Sequence, residues 1–217
     1  MPSKKVAAKD KPAILHDGRS RILAAALEVF SSWGFEGASL RQIATHAGVQ
    51  HQLVVYHFKN KENLWSAVVS LLVEGDAQVQ TVPYWTEKVQ REGPAETLRS
   101  AVHALILFNA NKPEFHRLLS FEAQTDSKRL RWLLKTYIRP YYEFFTNTVR
   151  MAQQAGVARA GNPGQLFYAT LGLVTKSLVS AKEYKIMTGL DPFAPEQIEK
   201  LMGLACDFLG LPAKQGT

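Results

Sequence analysis

The chain has 217 residues, 46% of them hydrophobic and 21% charged, and its 26 Lys and Arg against 19 Asp and Glu give a formal net charge of +7. These values fit one large or two small globular domains and exclude disordered, collagen-like and disulfide-rich proteins. The single cysteine and the lack of a signal peptide or a long apolar segment favour a cytoplasmic protein without membrane association. No zinc-finger spacing of Cys and His is present, and we expect no metal and no cofactor.

Apolar residues recur at helical spacing along most of the chain, and no segment alternates like a strand. The first pattern stops at Gly34, which suits the left-handed turn after a helix. Ser39 and Gln42 form a capping box, which marks the start of a short second helix. Pro140 should kink or divide the helix around it, because proline removes a helical hydrogen bond. The sequence thus predicts an all-α protein of about nine helices, near residues 19–33, 40–47, 50–57, 60–72, 95–109, 113–124, 127–155, 163–187 and 195–209.

The stretch from 34 to 64 is the most informative. Two short capped helices joined by Ala47-Gly48-Val49 have the form of a helix-turn-helix, in which the glycine allows a sharp turn. The second helix begins with Gln50, His51 and Gln52, which can hydrogen-bond to base edges in the major groove of DNA. Because the motif is degenerate, a helical subdomain with incidental turn chemistry is the alternative.

Side chains that can donate to DNA phosphates flank this second helix. They are Ser39 before it, Tyr56 and His57 at its end, and Lys59 and Lys61 beyond it. The first 65 residues carry nine basic and five acidic side chains, against 17 and 14 in the remainder, so their net positive charge per residue is more than twice as high. This excess favours an anionic partner but is too small to identify one.

The pattern G-F-x(3)-S-L-R-Q-I-A-x(2)-A-G-V, followed by Y-H-F-K-N-K-E-N-L, resembles the tetracycline-repressor (TetR) family of bacterial transcription factors over roughly residues 19–70. The resemblance implies an all-helical homodimer with an amino-terminal DNA-binding domain and a larger, variable domain that binds a small ligand. It predicts a basic flexible tail at 1–18, a three-helix DNA-binding domain at 19–65, and a ligand-binding and dimerisation domain at 66–217. The candidate DNA contacts are Ser39, Arg41, Gln50, His51, Gln52, Leu53, Tyr56, His57, Lys59 and Lys61.

Some positions depart from the family pattern. Ala38 and Gln52 stand where the family often has Thr and Gly. Val55 stands where it commonly has a phosphate-contacting Tyr, so we expect Tyr56 to supply that contact. The tail before the first helix contains Lys4, Lys5, Lys9 and Lys11. These lysines would either lie along the minor groove or the phosphates, or form a solvated terminus.

Aromatic side chains are frequent in the second domain, where they would line a ligand cavity between helices or simply pack a core. His103 and His116 are thirteen residues apart with no nearby Cys, so a metal site is not expected. The candidate ligand contacts are Trp85, His103, Phe108, His116, Phe121, Trp132, Tyr137, Tyr141, Phe145 and Thr170.

The last two predicted helices carry the dimer hypothesis. The helix from 163 is apolar around much of its circumference and needs cover on more than one side. Pairing with a symmetry mate would bury it, and burial within one protomer is the alternative. The candidate interface residues are Phe167, Leu171, Val174, Leu178, Ile198, Leu201, Met202, Ala205 and Phe208.

These patterns together predict a repressor that leaves a palindromic operator when a small-molecule effector binds. Two recognition helices of a dimer would enter successive major grooves about 34 to 36 Å apart. A helical enzyme is one alternative, although no recognisable catalytic set is present. A DNA-binding protein without a ligand is the other.

Overall fold

The computed structural model describes residues 11–74 and 82–212, with side chains for 18–74 and 84–212. All regular structure in these ranges is helical, which confirms the all-α prediction. None of the described helices is long and apolar enough to cross a membrane. The helices are α1 (Lys11–Gly37), α2 (Leu40–Ala47), α3 (His51–Phe58), α4 (Lys61–Val73), α5 (Val82–Asn111), α6 (Pro113–Glu122), α7 (Lys128–Leu133), α8 (Arg139–Gln154), α9 (Pro163–Val179), α10 (Ala181–Thr188) and α11 (Pro195–Leu209), with a π-helical turn at Leu134–Ile138.

The chain forms two compact units. The amino-terminal unit ends at Leu72 and also includes Arg117–Thr125, and the carboxy-terminal unit comprises Val73–His116 and the chain from Asp126. The boundary expected at residue 65 falls inside α4, because Val68 and Val69 on this helix are fully buried and extend the core of the first unit.

The amino-terminal tail differs from the expectation. We expected a flexible tail up to residue 18, but α1 begins at Lys11. Pro12 fits the first turn of a helix, where its missing N–H costs no hydrogen bond. Lys4, Lys5 and Lys9 lie outside the described residues.

Helices α1, α2, α3 and α4 all contribute buried residues to the core of the amino-terminal unit. Ile22, Phe30, Ile43 and Trp65 are fully buried in it. The regular dihedrals of α1 end at Gly34, with φ 67° and ψ 179°, where a helix stop was predicted. A Cβ at Gly34 would lie 3.0 Å from the Phe121 ring, so both the positive φ and this close approach favour glycine.

In the carboxy-terminal unit, α5, α8, α9 and α11 pack around a common core. Its fully buried members include Val102 on α5, Phe145 on α8, Val174 on α9 and Ala205 on α11. The helix predicted from residue 95 is present, because a new helical segment begins at Pro94, but a further helical segment that was not predicted precedes it from Val82. Gly93, with φ 79° and ψ 169°, interrupts α5 and allows Pro94 to begin a new helical segment.

Proline divides the predicted helix at 127–155. It forms α7, the π-helical turn and α8, with Pro140 in the first turn of α8. The N–H of Arg139 donates to Leu134 O, five residues back, which is the wider π-helical spacing. The predicted division at Pro140 is confirmed.

The prediction of one continuous helix at 163–187 is wrong. It breaks at Ser180, with φ −100° and ψ 38°, into α9 and α10. Lys176 Nζ bridges the break, 3.0 Å from Ser180 Oγ and 2.7 Å from Glu183 Oε2. Neither proline nor glycine occurs between Leu173 and Thr188, so the usual sequence signal for such a break is missing.

Candidate nucleic-acid interface

Local capping fixes α2. Ser39 is extended, with φ −131° and ψ 150°, and its Oγ accepts a hydrogen bond from Gln42 N at 3.1 Å. Gly48 ends the helix in the left-handed conformation, with φ 62° and ψ 40°. Arg21 on α1 donates to the carbonyls of Ala47 at 2.6 Å and Gly48 at 2.9 Å. The guanidinium therefore stabilises the turn between α2 and α3 and attaches it to α1.

A second polar contact joins α1 to α2. His46 Nε2 lies 2.6 Å from Glu28 Oε2, and both side chains are largely exposed. They line an open groove of about 590 Å³ together with Trp33 and Gln42. Because an exposed ion pair contributes little stability, the Arg21 contacts and the buried core hold α2 in place.

The α3 helix presents one face to the core and another to solvent. Val54 and Phe58 are buried, and His51 and Leu53 are half-buried. Gln52, Val55 and Tyr56 form the exposed side of α3, and the exposed Lys59 follows its last residue. We call these four residues the α3 stripe. Tyr56 projects furthest, with 69% of its surface exposed.

The predicted DNA contacts on α3 differ in their exposure. The first residues of the helix were expected to read bases together, but the structure separates exposed Gln50 and Gln52 from half-buried His51 and Leu53. Val55 was not a candidate contact, although its position three residues after Gln52 could have placed it there.

Lys59 occupies a strained turn. Its φ of 64° and ψ of −51° make it the one non-glycine residue with positive φ among the described residues. Asn60 N donates to Phe58 O at 2.8 Å, which closes a three-residue γ-turn around Lys59. Asn60 Oδ1 then accepts from Asn63 N at 2.8 Å at the start of α4. Such strain costs about 1–3 kcal/mol and is typical of functional positions.

Lys61 makes contacts that were not predicted. Its Nζ donates to Phe35 O at 2.8 Å and Ala38 O at 2.9 Å, and it lies 4.2 Å from the centre of the Phe35 ring. Two of its three N–H donors thus hold the segment between α1 and α2, and one is left for a phosphate. Ser39 and Arg41 are exposed and His57 is half-buried.

The candidate ligand contacts do not form one group. Trp85, Tyr141 and Phe145 meet in the aromatic core of the carboxy-terminal unit, and Thr170 is fully buried on α9. Tyr141 donates its hydroxyl hydrogen bond to Ala101 O at 2.9 Å, and burial raises the pKa of the phenol.

Two other ligand candidates require correction. His103 is exposed on the outer side of α5. Phe121 belongs to the amino-terminal unit, where it covers Gly34. On α5, Val102 and Ile106 face the core of the carboxy-terminal unit in place of His103, and the end of α6 that carries Phe121 belongs to the amino-terminal unit.

The remaining candidates are half-buried. Phe108 makes an edge contact with Phe115 at 5.2 Å, and Trp132 makes one with Tyr137 at 5.5 Å. The Tyr137 hydroxyl donates to Glu74 Oε1 at 2.9 Å. Burial lowers the pKa of His116, which favours its neutral form. Among the described residues, no three His, Cys, Asp or Glu side chains cluster as metal ligands.

The predicted dimer residues fall into two classes. Phe167, Val174, Leu178 and Ala205 are at most 3% exposed because they pack into the core of their own protomer, so they are not available to a partner. The other five predicted residues are half-buried: Leu171, Ile198, Leu201, Met202 and Phe208.

Two large exposed side chains on the same helices are not among these nine candidates. They are Tyr168 on α9, 63% exposed, and Leu204 on α11, 60% exposed. The small residues Ala169, Gly172 and Gly203 are exposed near them in sequence. Because α9 is apolar on nearly all sides, its sequence did not distinguish the inner face from the outer one.

Two parts of the chain match known protein families. Residues 22–68 match the family described as bacterial regulatory proteins of the tetR family, and residues 94–209, over half of the chain, match the tetracyclin repressor-like carboxy-terminal domain. The chain belongs to the TetR family.

One curated TetR-type relative is the probable HTH-type transcriptional regulator YttP of Bacillus subtilis, 28% identical over 120 residues, which cover 55% of this chain and 57% of YttP. The chain is thus matched to little more than half of that relative.

Two solved structures share the TetR fold. The hemolysin II transcriptional regulator HlyIIR has a TM-score of 0.65 at 22% identity and covers 88% of this chain and 97% of its own. AibR, in complex with isovaleryl coenzyme A and operator DNA, has a TM-score of 0.64 at 21% identity, with coverages of 90% and 99%.

Proposed function

We propose that this TetR-family protein is a sequence-specific DNA-binding transcriptional regulator of the bacterial cytoplasm, and that it is a repressor released from its operator by a small molecule. The observation that carries the proposal is the α3 stripe. Three of its four residues lie on a helix whose opposite face is buried, Lys59 follows directly after that helix, and neither α2 nor α3 contains an acidic residue. Such a surface suits the negatively charged major groove.

The residues of the α3 stripe have different roles in this proposal. Gln52 lies early on α3 and can form a bidentate pair with adenine, while Val55 offers an apolar contact for a thymine methyl group. Tyr56 and Lys59 lie one and two turns later and can donate to phosphates. Ser39 keeps its hydroxyl hydrogen for a phosphate, because its oxygen only accepts from Gln42.

The proposal includes a homodimer on a palindromic operator. Tyr168 and Leu204 expose large apolar surface on α9 and α11, where the half-buried Leu201 and Phe208 continue it. Exposed apolar surface of this kind commonly marks an interface between proteins. A two-fold axis through these helices would present two copies of α3 to successive half-sites.

Effector release requires a ligand that binds the two conformations unequally. The aromatic core around Trp85 and Phe145 supports a site for such a ligand in the carboxy-terminal unit. The structural relative AibR was solved with both isovaleryl coenzyme A and operator DNA. We propose that this chain likewise binds both an effector, in its carboxy-terminal unit, and operator DNA, through its amino-terminal unit.

Fluorescence anisotropy with the intergenic DNA beside the protein's own gene tests DNA binding. The wild type should bind this DNA at least 100-fold more tightly than a scrambled duplex of equal length. Gln52→Ala should lose about 10-fold or more for the specific duplex, since each good base contact contributes about 1–3 kcal/mol. Gln90→Ala, an exposed change in the carboxy-terminal unit, is the matched control. Equal affinity of the wild type for the two duplexes would refute the proposal.

A further inference from the structure

Thr170 differs from the other buried threonines of the carboxy-terminal unit. The hydroxyls of Thr97, Thr146, Thr148 and Thr175 each donate to the carbonyl four residues earlier, at 2.7 to 2.9 Å. Thr170 is fully buried, but its Oγ has no hydrogen-bond partner among the described residues. A buried hydroxyl without a partner is destabilising, and the helix backbone offered one that it does not use.

Trp85 has the same property. Its side chain is 3% exposed and stacks on Phe144, with ring centres 5.0 Å apart and an interplanar angle of 22°. The indole Nε1 is buried and makes no hydrogen bond to any described residue. An indole N–H can only donate, so a hydrogen-bond acceptor is what this position lacks.

Both side chains are carried next to members of one aromatic core. Trp85 contacts Phe144, which lies 6.1 Å from Tyr141, and Tyr141 lies 6.3 Å from Phe167. Thr170 follows Phe167 by one turn of α9, between it and buried Val174. Elements α5, α8 and α9, which pack on one another, carry these side chains.

We propose that Trp85 Nε1 and Thr170 Oγ are the polar contacts of the effector site, and that the effector is a neutral, planar, largely apolar molecule with a carbonyl-type acceptor. The inference rests on the proposed effector response and names the ligand class. A flat molecule can make stacked or edge contacts with aromatic rings such as those of Phe144 and Phe167. No buried residue described in this unit carries a charged side chain, and the nearly buried Lys88 and Arg99 are already paired with Glu92 and Glu96, so an ionised ligand would lose its hydration without gaining a counter-ion.

Three naphthalene derivatives of similar size separate the required features. Methyl 2-naphthoate is neutral with an acceptor, 2-naphthoate is charged, and 2-ethylnaphthalene has no acceptor. Isothermal titration calorimetry on the full chain, without DNA, should give the ester at least 10-fold higher affinity than either of the others. Absence of binding by the ester, or tighter binding by the carboxylate, would overturn the proposal.

Paired threonine variants distinguish a ligand contact from a structural role. Thr170→Val should raise Tm, because it removes an unsatisfied polar group, and should weaken binding of the ester about 5- to 10-fold. Thr175→Val should lower Tm and leave ester affinity unchanged, because Thr175 satisfies its hydroxyl on Leu171 O. Thr170→Ser keeps the hydroxyl and should restore most of the affinity. If Thr170→Val lowers Tm and binds the ester as the wild type does, the proposal is wrong.

Trp85→Phe tests the second contact. It keeps an aromatic ring against Phe144 and removes the N–H, so the ester should lose affinity while 2-ethylnaphthalene should not. Equal losses for both compounds would contradict a hydrogen bond to the acceptor. The titrations contain no DNA, so failure of the effector site leaves specific operator binding intact, and failure of operator binding leaves the ester titration intact.

Discussion

Replacing Lys61 with Met would remove the ammonium and keep most of the apolar stem. Two charge-assisted hydrogen bonds and one cation–π contact disappear, to Phe35 O, Ala38 O and the Phe35 ring. Hydrogen bonds to charged groups contribute about 1.5–3 kcal/mol each and an exposed cation–π contact about 0.5–1 kcal/mol. Phe35 O retains the Ala38 N–H at 3.2 Å, so only one carbonyl loses its partner. Since Lys61 is half-buried, we expect a net loss of about 2–3 kcal/mol.

This loss should lower Tm by roughly 5–10 °C for a chain of this size. Circular dichroism measures Tm, and anisotropy at several salt concentrations measures the DNA contribution. Lys59→Met is the matched control, because Lys59 is exposed on the α3 stripe. It should leave Tm unchanged and reduce the salt dependence of DNA binding by about one phosphate contact per protomer. If Lys61→Met keeps the wild-type Tm and instead behaves like Lys59→Met in the salt titration, Lys61 contacts phosphate and does not stabilise the fold.

Other substitutions give equally direct results. Lys59→Gly should raise the free energy of unfolding by about 1 kcal/mol in urea titrations, because glycine tolerates the positive φ, and no gain would contradict strain at this turn. Gly48→Ala should destabilise by about 1–3 kcal/mol in the same assay, since its φ is 62° and the new Cβ would lie 2.7 Å from the Arg21 guanidinium. Leu204→Glu should convert the dimer to monomer in analytical ultracentrifugation, and an unchanged mass would exclude this face of α11 from the interface. Because burial raises the pKa of Tyr141 above the value near 10 of an unfolded tyrosine, stability should be complete below pH 10 and fall as pH rises above it, less steeply in Tyr141→Phe.

Local sequence signals predicted the amino-terminal unit well. Gly34, Ser39 and Gly48 each act through the backbone of their own segment, so the sequence contains the whole cause of the structure there. The Lys61 contacts depend on carbonyls more than twenty residues away, and no local pattern records them. A basic residue beside a helix-turn-helix suggests a phosphate contact when only its neighbours in sequence are known.

Breaks in helices were predicted where a backbone cause was visible. Pro140 divides its helix because proline lacks the donor that the helix requires. Gly93 and Pro94 also mark a true break, but the residues before them are helical and not a loop. At Ser180 no glycine or proline is present, and the side-chain contacts of Lys176 across the break form only after folding.

Helices α9 and α11 each have one face buried in the core of their own protomer and another face exposed, and their composition does not distinguish the two faces. Phe167 and Val174 lie seven residues apart on the inner face of α9, and Tyr168 lies on the outer face. The larger hydrophobic residues were assigned to the interface because they dominate the sequence pattern, but a folded protomer uses them first for its own core. The residues left outside are a few large apolar side chains beside glycine and alanine, which let a neighbouring helix approach closely. A partner helix would therefore be held by Leu204 and Tyr168, with Gly172 determining how closely it can pack.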